Sequence, residues 1–251
     1  MSQVVSQGAC SKCGSSDAYT LYSDGHGWCY SCTTYFPAPR TIGNMKKQLD
    51  RICKPIVTKG GTIINPLPND CSSVITGEPL RWLRKYGLTD SELYKNGVVY
   101  SPYREMLIFP SYDREGNLQM WQGRYFPPRN PKCYTEGDPA NHLHIVHPPE
   151  GSETGLDSTI VLVEDPVSTL KVGRVIDALC LFGSHVSPKL VLRLKQLGYE
   201  RVIIWLDFNK AKTSFKFRDK YAPLFNETRS VVTELDPKEY STEEIKKYLT
   251  S

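Results

Sequence analysis

The chain has 251 residues, of which 31 are basic and 27 acidic, so its formal net charge is only +4. This length allows one large domain or two unequal ones with a real hydrophobic core. The small charge gives no large basic field for nucleic acid, so such a function has to come from local clusters. The sequence contains no run of 18 apolar residues and no signal-peptide pattern at its start, which predicts an intracellular protein without a membrane partner.

Four of the eight cysteines form two close pairs near the N-terminus, Cys10 with Cys13 and Cys29 with Cys32. Each C-x-x-C pair can place two thiolates on one turn, and the two turns together predict a tetrahedral Zn²⁺ site. A redox dithiol is the weaker alternative, because a single pair would suffice for it. Four protein ligands leave no open position, so we expect the Zn²⁺ to stabilise a small ribbon and not to catalyse a reaction.

Aromatic and hydrogen-bonding side chains lie between and after the two cysteine pairs, among them Asp24, His26 and Trp28. On a small rigid ribbon such side chains could stack on unpaired bases and read them. The alternative is that the aromatic rings form the core of the ribbon and that Asp24 and His26 belong to a turn.

The segment after the ribbon is irregular and contains several prolines and glycines, which predicts a linker over residues 41–70 with a short helix at 44–52. Residues 71–150 then show helical spacing followed by strand patterns, typical of a small α+β block. The predicted elements of this block are helices over 79–86 and 89–97 and strands over 106–112 and 118–125.

Residues 101–135 contain five basic and three acidic side chains, interleaved with aromatic ones. Such a mixture suits the phosphates and bases of a single nucleic-acid strand, and an ordinary solvated surface is the alternative. Arg124 and Lys132 flank glycine and proline turns that could direct them into a cleft. The basic residues are Arg104, Arg114, Arg124, Arg129 and Lys132.

From residue 151 onward short apolar strands alternate with helices, which predicts parallel strands joined by right-handed crossovers in an α/β sheet. The strands 159–163 and 202–206 are continuous apolar runs rich in Val and Ile, as expected for strands covered by helices on both faces. The other predicted strands cover 178–182 and 230–235. The predicted helices cover 166–177, 188–197 and 242–249, and a further helix follows the strand 202–206 and ends at residue 224.

Polar side chains follow both apolar strands directly. Glu164 and Asp165 come after the first strand, and Asp207 and Asn209 come after the second. Because the carboxyl ends of parallel strands meet at one edge of a sheet, these oxygens could converge on Mg²⁺. Turn formation or helix capping is the alternative for such residues.

Further charged residues are predicted near the same edge. Lys238 and Glu239 follow the last predicted strand. Residues 210–220 are rich in basic side chains, including Lys210 and Lys212, which could hold a triphosphate or a template strand. A solvated helix face is the alternative for this basic segment.

Together these motifs resemble those of DnaG-type primases, in the phage branch in which a four-cysteine zinc ribbon precedes the polymerase domain. The stretch 21–30 resembles the Ser-Asp-Gly-His segment of phage helicase-primase ribbons. The strands before Glu164 and Asp207 resemble the Toprim fold shared by primases and topoisomerases, as does Pro237-Lys238-Glu239. The motifs that follow the order of the family's N-terminal polymerase subdomain are Met106–Pro110, Asp113–Asn117, Gln122–Arg124 and Pro131–Tyr134.

The resemblance implies an α/β protein with a Toprim-type parallel-sheet catalytic subdomain over 151–251. An α+β subdomain of the polymerase would cover 71–150, and a template-binding zinc ribbon would cover 1–40. The implied site residues are Glu164 and Asp207 for the catalytic metal, Arg124 and Lys132 for nucleotides or nucleic acid, and Asp24 and His26 for reading the template.

The sequence departs from the family at two positions. The family usually has Asp where Asn209 stands, and often Gly where Asp165 stands. Asparagine keeps an oxygen ligand but loses a charge, so a second metal should bind more weakly unless Asp165 or Glu239 compensates.

The implied activity is that of a DNA primase, a nucleotidyltransferase that makes short RNA primers from NTPs on single-stranded DNA with Mg²⁺ or Mn²⁺. Glu164 and Asp207 would carry it, with Asn209, Asp165 and Glu239 assisting and Lys238, Lys210 or Lys212 near phosphates. The chain lacks a G-x-x-x-x-G-K-[ST] loop, so we expect a separate replicative helicase and a DNA polymerase as partners, in the host cytoplasm if a phage encodes the chain. The alternatives are a Toprim nuclease and a non-enzymatic DNA-binding adaptor of replication.

Overall fold

The computed structural model describes residues 3–23, 26–36, 56–57, 63–152 and 156–250. The chain divides into two compact units, Met1–Ile52 and Cys53–Ser251, and each is considered by itself. The predicted helix at 44–52 and most of the predicted linker lie outside the described residues. The domain boundaries at residues 40, 70 and 150 therefore stay predictions.

The N-terminal unit contains one antiparallel sheet with strands in the order β1-β2-β3-β4. Among the residues described in this unit, the buried apolar side chains are those of Cys10 and Cys29. A Cβ on Gly27 would come within 2.2 Å of the Tyr19 hydroxyl, so only glycine lets this ring lie over β3. The strands are β1 (Val4–Gly8), β2 (Tyr19–Tyr22), β3 (Gly27–Cys29) and β4 (Thr34–Phe36).

The second unit begins with a two-stranded pair and a block of two helices on a four-stranded antiparallel sheet, ordered β10-β9-β8-β7. The predicted hairpin is confirmed, because β8 and β9 pair around a turn in which Asp113 accepts from the backbone N–H of Asn117 at 2.8 Å. The elements are β5 (Ile56–Val57), β6 (Ile63–Ile64), α1 (Gly77–Lys85), α2 (Asp90–Lys95), β7 (Val99–Ser101), β8 (Met106–Tyr112), β9 (Leu118–Tyr125) and β10 (Cys133–Glu136).

The rest of the second unit forms a five-stranded sheet in the order β11-β13-β12-β14-β15. Four strands are parallel, and the edge strand β11 is antiparallel to β13. The predicted parallel α/β sheet is thus confirmed. Its elements are β11 (His144–Val146), β12 (Thr159–Val163), α3 (Pro166–Val172), β13 (Ala178–Cys180), α4 (Pro188–Gln196), β14 (Arg201–Ile204), α5 (Ala211–Tyr221), β15 (Glu227–Ser230) and α6 (Thr242–Thr250).

Strand β12 is buried along its whole length because it supplies both cores of this sheet. Ile160 and Leu162 pack with residues of α4 and α5. Val161 and Val163 pack with residues of α3 and α6 on the other face. This alternation explains why the strand is apolar at nearly every position.

The last strand differs from its prediction. We predicted a strand over 230–235 because of its valines, but β15 spans Glu227–Ser230. An edge strand tolerates polar residues, since one side of it faces solvent, and Arg229 donates to the Tyr248 carbonyl of α6 at 3.3 Å. Likewise, α3 ends at Val172, before Gly173 and not at 177, consistent with the weak helix propensity of glycine.

Helix α3 and the turn after it connect the parallel sheet to α1 and α2. The buried Lys171 donates to the carbonyl of Tyr86 at 3.2 Å, and Arg174 donates to that of Gly87 at 2.8 Å. Both carbonyls lie at the C-terminal end of α1, where the helix dipole favours cations. Arg174 also pairs with Glu92, the residue that closes the capping box of α2. None of the described helices is long and apolar enough to cross a bilayer.

We predict that Glu92→Gln weakens this connection in a pH-dependent way. Burial by itself would raise the pKa of Glu92, but Arg174 and the bonds from Thr89 outweigh it and lower the pKa below its ordinary value. The stabilisation is therefore present at neutral pH and is lost as the pH falls through the pKa of the folded state. The variant should lose about 1–2 kcal/mol at pH 7.

Urea unfolding of both proteins checks this prediction. The difference in unfolding free energy should shrink steadily between about pH 5 and pH 3. Glu150→Gln, at an exposed position, serves as the control and should behave like the parent at each pH. A Glu92→Gln difference that is constant across this range would contradict the assignment.

Candidate active site and metal centre

The four predicted cysteines come together in the N-terminal unit. The sulfurs of Cys10 and Cys32 are 3.9 Å apart, and those of Cys13 and Cys29 are 3.7 Å apart. All four sulfurs lie within 4.8 Å of one another. Tetrahedral Zn²⁺ with Zn–S bonds of about 2.3 Å requires sulfur separations of about 3.8 Å, so the four thiols form a site that fits Zn²⁺.

Aromatic rings form a stacked row beside the metal site. The rings of Tyr22 and His26 stack at 4.4 Å with 10° between their planes, and Tyr35 continues the row at 5.6 Å from His26. Tyr35 is 56% exposed, so an aromatic surface is open to solvent. Trp28 lies on β3 and is half-buried, whereas Asp24 lies outside the described residues.

The two acidic residues that matter most for the sequence prediction share one edge of the parallel sheet. Leu162 of β12 pairs with Ile204 of β14, so Glu164 and Asp207 both follow the carboxyl ends of adjacent strands. One oxygen of each, Glu164 Oε2 and Asp207 Oδ1, is buried without a hydrogen-bond partner. Two orphaned carboxylate oxygens at one edge fit a hard divalent cation.

Burial perturbs both of these carboxyl groups. It raises the pKa of Glu164, and it raises the pKa of Asp207 to about 7 even though Lys238 acts in the opposite direction. The charges of Asp165 and Glu164 contribute further to the raised pKa of Asp207. Such shifts cluster where a structure gathers functional groups.

Asp165 has a different role from its neighbour Glu164. Its Oδ1 accepts from the N–H groups of Val167 and Ser168 at 3.0 and 3.1 Å, which makes it the N-cap of α3. Its Oδ2 accepts from the Ser168 hydroxyl at 2.6 Å and from Lys238 at 3.1 Å. Asp165 therefore caps a helix, which was the alternative to metal ligation for this residue.

Lys238 lies among the acidic residues of the edge. Besides Asp165, its ammonium contacts Asp236 at 2.8 Å and Asp207 at 4.0 Å. Burial would lower the pKa of Lys238, but these carboxylates outweigh it and raise the pKa above its usual value. Lys238 is thus an ammonium ion enclosed by three aspartates.

The remaining predicted residues of this edge lie farther out. Asn209 and Lys212 are exposed, and Lys210 is half-buried and close enough to lower the pKa of Glu164. Glu239 faces Lys85 of α1 at 3.6 Å. The structure thus brings Glu164, Asp207 and Lys238 together and leaves these others around them.

Arg124 of β9 is held by aromatic rings. Its guanidinium lies 4.5 Å from the ring centre of Trp82 and 5.9 Å from that of Phe126. Its Nε is buried without a partner, and no carboxylate among the described residues forms an ion pair with it. A half-buried guanidinium stacked on indole keeps its charge available for an anion.

The turn after β13 connects this basic group to the acidic edge. Gln122, two residues before Arg124, donates to the Phe182 carbonyl at 3.5 Å, and the next N–H, of Gly183, donates to the Glu164 carbonyl at 3.0 Å. Lys132 is exposed just before β10, and Arg104 is half-buried before β8. The strand that carries Arg124 is therefore linked by hydrogen bonds, through this turn, to the backbone at Glu164.

No family model matches the chain, and no curated protein matches its sequence. Solved structures do match its fold. The primase fragment of the bacteriophage T7 primase-helicase protein is 19% identical with a TM-score of 0.54, over 99% of this chain and 98% of that one. The zinc-binding and RNA polymerase domains of the Aquifex aeolicus primase are 14% identical with a TM-score of 0.56, over 99% and 80%. A DnaG primase catalytic domain bound to ssDNA is 12% identical with a TM-score of 0.54, over 83% and 78%.

The chain has the DnaG-type primase fold. The predicted fold class, with a four-cysteine ribbon ahead of α+β and parallel-sheet layers, is confirmed. Within this primase fold, sequence reasoning missed two residues of the site. They are Asp236, which binds Lys238, and Trp82, whose partner Arg124 lies on a distant strand.

We predict that Cys29→Ser abolishes metal binding by the ribbon of this primase fold. Cys29 is fully buried, and three remaining sulfurs hold Zn²⁺ much less tightly than four. Metal analysis of protein purified with Zn²⁺ should fall from about one ion per chain to near zero. Cys71→Ser, outside the cluster, should keep the full metal content. Equal losses in both variants would contradict the assignment.

We also predict that Asp207→Asn stabilises the protein at high pH. The pKa of Asp207 is about 7 in the folded state and about 4 when unfolded, so ionising the folded protein costs free energy. That cost is absent below about pH 4, grows between pH 4 and 7, and is complete above pH 7. The variant should gain about 4 kcal/mol at pH 8 and almost nothing near pH 4.

Urea unfolding without added divalent cations measures this effect. Asp219→Asn, an exposed acid of α5 paired with Arg218, is the matched control and should show no such pH dependence. An Asp207→Asn gain that is the same at pH 4 and pH 8 would refute the burial argument.

Proposed function

We propose that this chain is a template-dependent RNA primase that joins NTPs into short primers on single-stranded DNA. The observation that carries the proposal is the pair of buried, unpartnered oxygens of Glu164 and Asp207 at the carboxyl edge of the parallel sheet. Hard divalent cations bind such oxygens, and phosphoryl transfer depends mainly on positioning and charge neutralisation. The DnaG-type primase fold around this pair supports that reading.

In this proposal Glu164 and Asp207 hold the catalytic Mg²⁺ or Mn²⁺. When bound, such an ion lowers the pKa of the attacking 3′-hydroxyl and offsets the charge that builds on the pyrophosphate leaving group. Burial of the two carboxylates supports the role, because it excludes water and strengthens electrostatic interactions. Asn209, exposed after Asp207, offers a neutral oxygen at the rim of the site.

The basic residues would bind the polyanionic ligands. Arg124, stacked on Trp82 without a carboxylate partner among the described residues, would contact a phosphate of the template or the growing primer. Lys210 and Lys212 at the start of α5 would contact the triphosphate, and Lys132 and Arg104 would extend the basic surface. One solved structure of this fold is a DnaG catalytic domain bound to ssDNA, and we extend that ligand to this chain.

The ribbon would read the template. Zn²⁺ would hold the four cysteines, and the stacked row of Tyr22, His26 and Tyr35 would take unpaired bases, since every base has a face that stacks on aromatic rings. Trp28, which pairs with Tyr35 across β3 and β4, belongs to the same proposed surface, and Asp24 stays a predicted template contact. The proposed protein partners are a replicative helicase, which exposes single-stranded template, and a DNA polymerase, which extends the primers.

Primer synthesis by Asp207→Ala tests the proposed activity. Radiolabelled NTPs are incubated with random single-stranded DNA and Mg²⁺, and losing this ligand should lower the rate by about 10²–10³-fold or more. Asp219→Ala, at an exposed acid outside the site, should retain the parent rate. Near-parent synthesis by Asp207→Ala would overturn the assignment of Asp207.

The same experiment separates primase from the other functions considered. Labelled DNA is supplied in parallel with the labelled nucleotides. Metal-dependent cleavage of the DNA without primers would indicate a nuclease. DNA binding without any product at any Mg²⁺ or Mn²⁺ concentration would indicate an adaptor.

A further inference from the structure

The environment of Lys238 differs from that of a lysine that binds substrate. Its side chain is 14% exposed, and its ammonium lies 2.8 Å from Asp236, 3.1 Å from Asp165 and 4.0 Å from Asp207. An ammonium has three hydrogens. Asp165 and Asp236 accept two of them in hydrogen bonds, and Asp207 lies at ion-pair distance, so the charge of Lys238 is directed at the carboxylates of this edge.

The acidic residues of this edge therefore fall into two groups. Asp165 is saturated, because its two oxygens accept from two backbone N–H groups, a hydroxyl and Lys238. Asp236 accepts from Lys238 and from the N–H of Phe208. Glu164 Oε2 and Asp207 Oδ1 are the buried carboxylate oxygens of this edge without a partner among the described residues.

This division leaves no second pair of unpartnered, buried carboxylate oxygens among the described residues of the edge. Among the described residues, the four cysteines are the only group of three or more His, Cys, Asp or Glu ligands with all donor atoms within 4.8 Å. The ammonium of Lys238 occupies the position between Asp165 and Asp236. Asn209, the next polar residue after Asp207, is exposed and neutral, so it adds no charge to attract another cation.

We propose that Lys238 is a built-in cation that takes the place of a second divalent ion, so that the acidic edge binds one divalent cation, between Glu164 and Asp207. This proposal rests on the proposed function and defines its metal requirement. The fixed ammonium offsets part of the negative charge of Asp165 and Asp236, whereas the unpartnered oxygens of Glu164 and Asp207 are left for the exchangeable ion. Lys238 is accordingly a positioning residue, and the phosphate contacts fall to Lys210, Lys212 and Arg124.

Counting bound Mn²⁺ tests the proposal without using activity. The full chain, loaded with Zn²⁺, is titrated with Mn²⁺, and free Mn²⁺ is measured by electron paramagnetic resonance. The parent protein should bind one Mn²⁺ per chain. Lys238→Met should bind two, because removing the ammonium leaves Asp165 and Asp236 as a pair of oxygens that another cation can bridge. Lys238→Arg, which retains the charge, should still bind one.

Lys85→Met is the matched control, since Lys85 also pairs with an acid near the edge, Glu239 at 3.6 Å. It should bind one Mn²⁺. Two ions bound by the parent, or one ion bound by a folded Lys238→Met, would each overturn the proposal. Should Lys238→Met not fold, the number of Mn²⁺ ions bound by the parent protein still tests the proposal, because two bound ions would contradict it.

Failure of this proposal is distinguishable from failure of the proposed primase activity. If the parent protein makes primers and binds two Mn²⁺, the proposed activity is supported and the proposed role of Lys238 is wrong. If it binds one Mn²⁺ but makes no primers, the proposed role of Lys238 is supported and the proposed activity is wrong.

Discussion

The parallel pairing of β12 with β14 is the constraint on which the rest of the site depends. Both strands are buried, so a shift in their register would move apolar side chains out of two cores at once. With Leu162 opposite Ile204, the chain leaves both strands at the same edge, and Glu164 and Asp207 follow there. Burial raises the pKa of both groups, so this placement is unfavourable for the carboxylates themselves. The hydrophobic packing of the two strands holds them in place against that cost.

Some carboxylates of this edge have hydrogen-bond donors for both oxygens, and others do not. This difference defines the candidate site. Asp165 is stabilised by the N-terminus of α3, whose backbone N–H groups and dipole favour an anion. Asp236 is stabilised by Lys238. Glu164 and Asp207 lie close to the same ammonium ion and yet keep one buried oxygen each without a donor. A buried acceptor without a donor is costly, and the cation of the proposed function would offset that cost.

Strong local signals made most of the fold predictable, and distant contacts limited the prediction of the site. Two apolar runs and paired C-x-x-C motifs were sufficient for the parallel sheet and the cysteine cluster. The final strand was placed too late because Val231 and Val232 were read as strand residues, although β15 consists of Glu227–Ser230. For Asp165, metal ligation and capping were both open, and only the direction of its oxygens decides between them. The bond from Lys238 to Asp165 joins residues 73 positions apart, which no local pattern can reveal.

The turn after β13 explains how the basic and acidic parts of the second unit keep a fixed geometry. Phe182 has a φ of 50°, a left-handed conformation that costs a bulky residue about 1 kcal/mol or more. The rings of His142 and His144 pack against its side chain at 5.1 and 5.4 Å, which offsets that strain. In this conformation the Phe182 carbonyl accepts from the Gln122 side chain, and the N–H of Gly183 donates to the Glu164 carbonyl. Since Gln122 and Arg124 lie on the same strand, this one strained residue joins β9 to the backbone of the segment that carries Glu164.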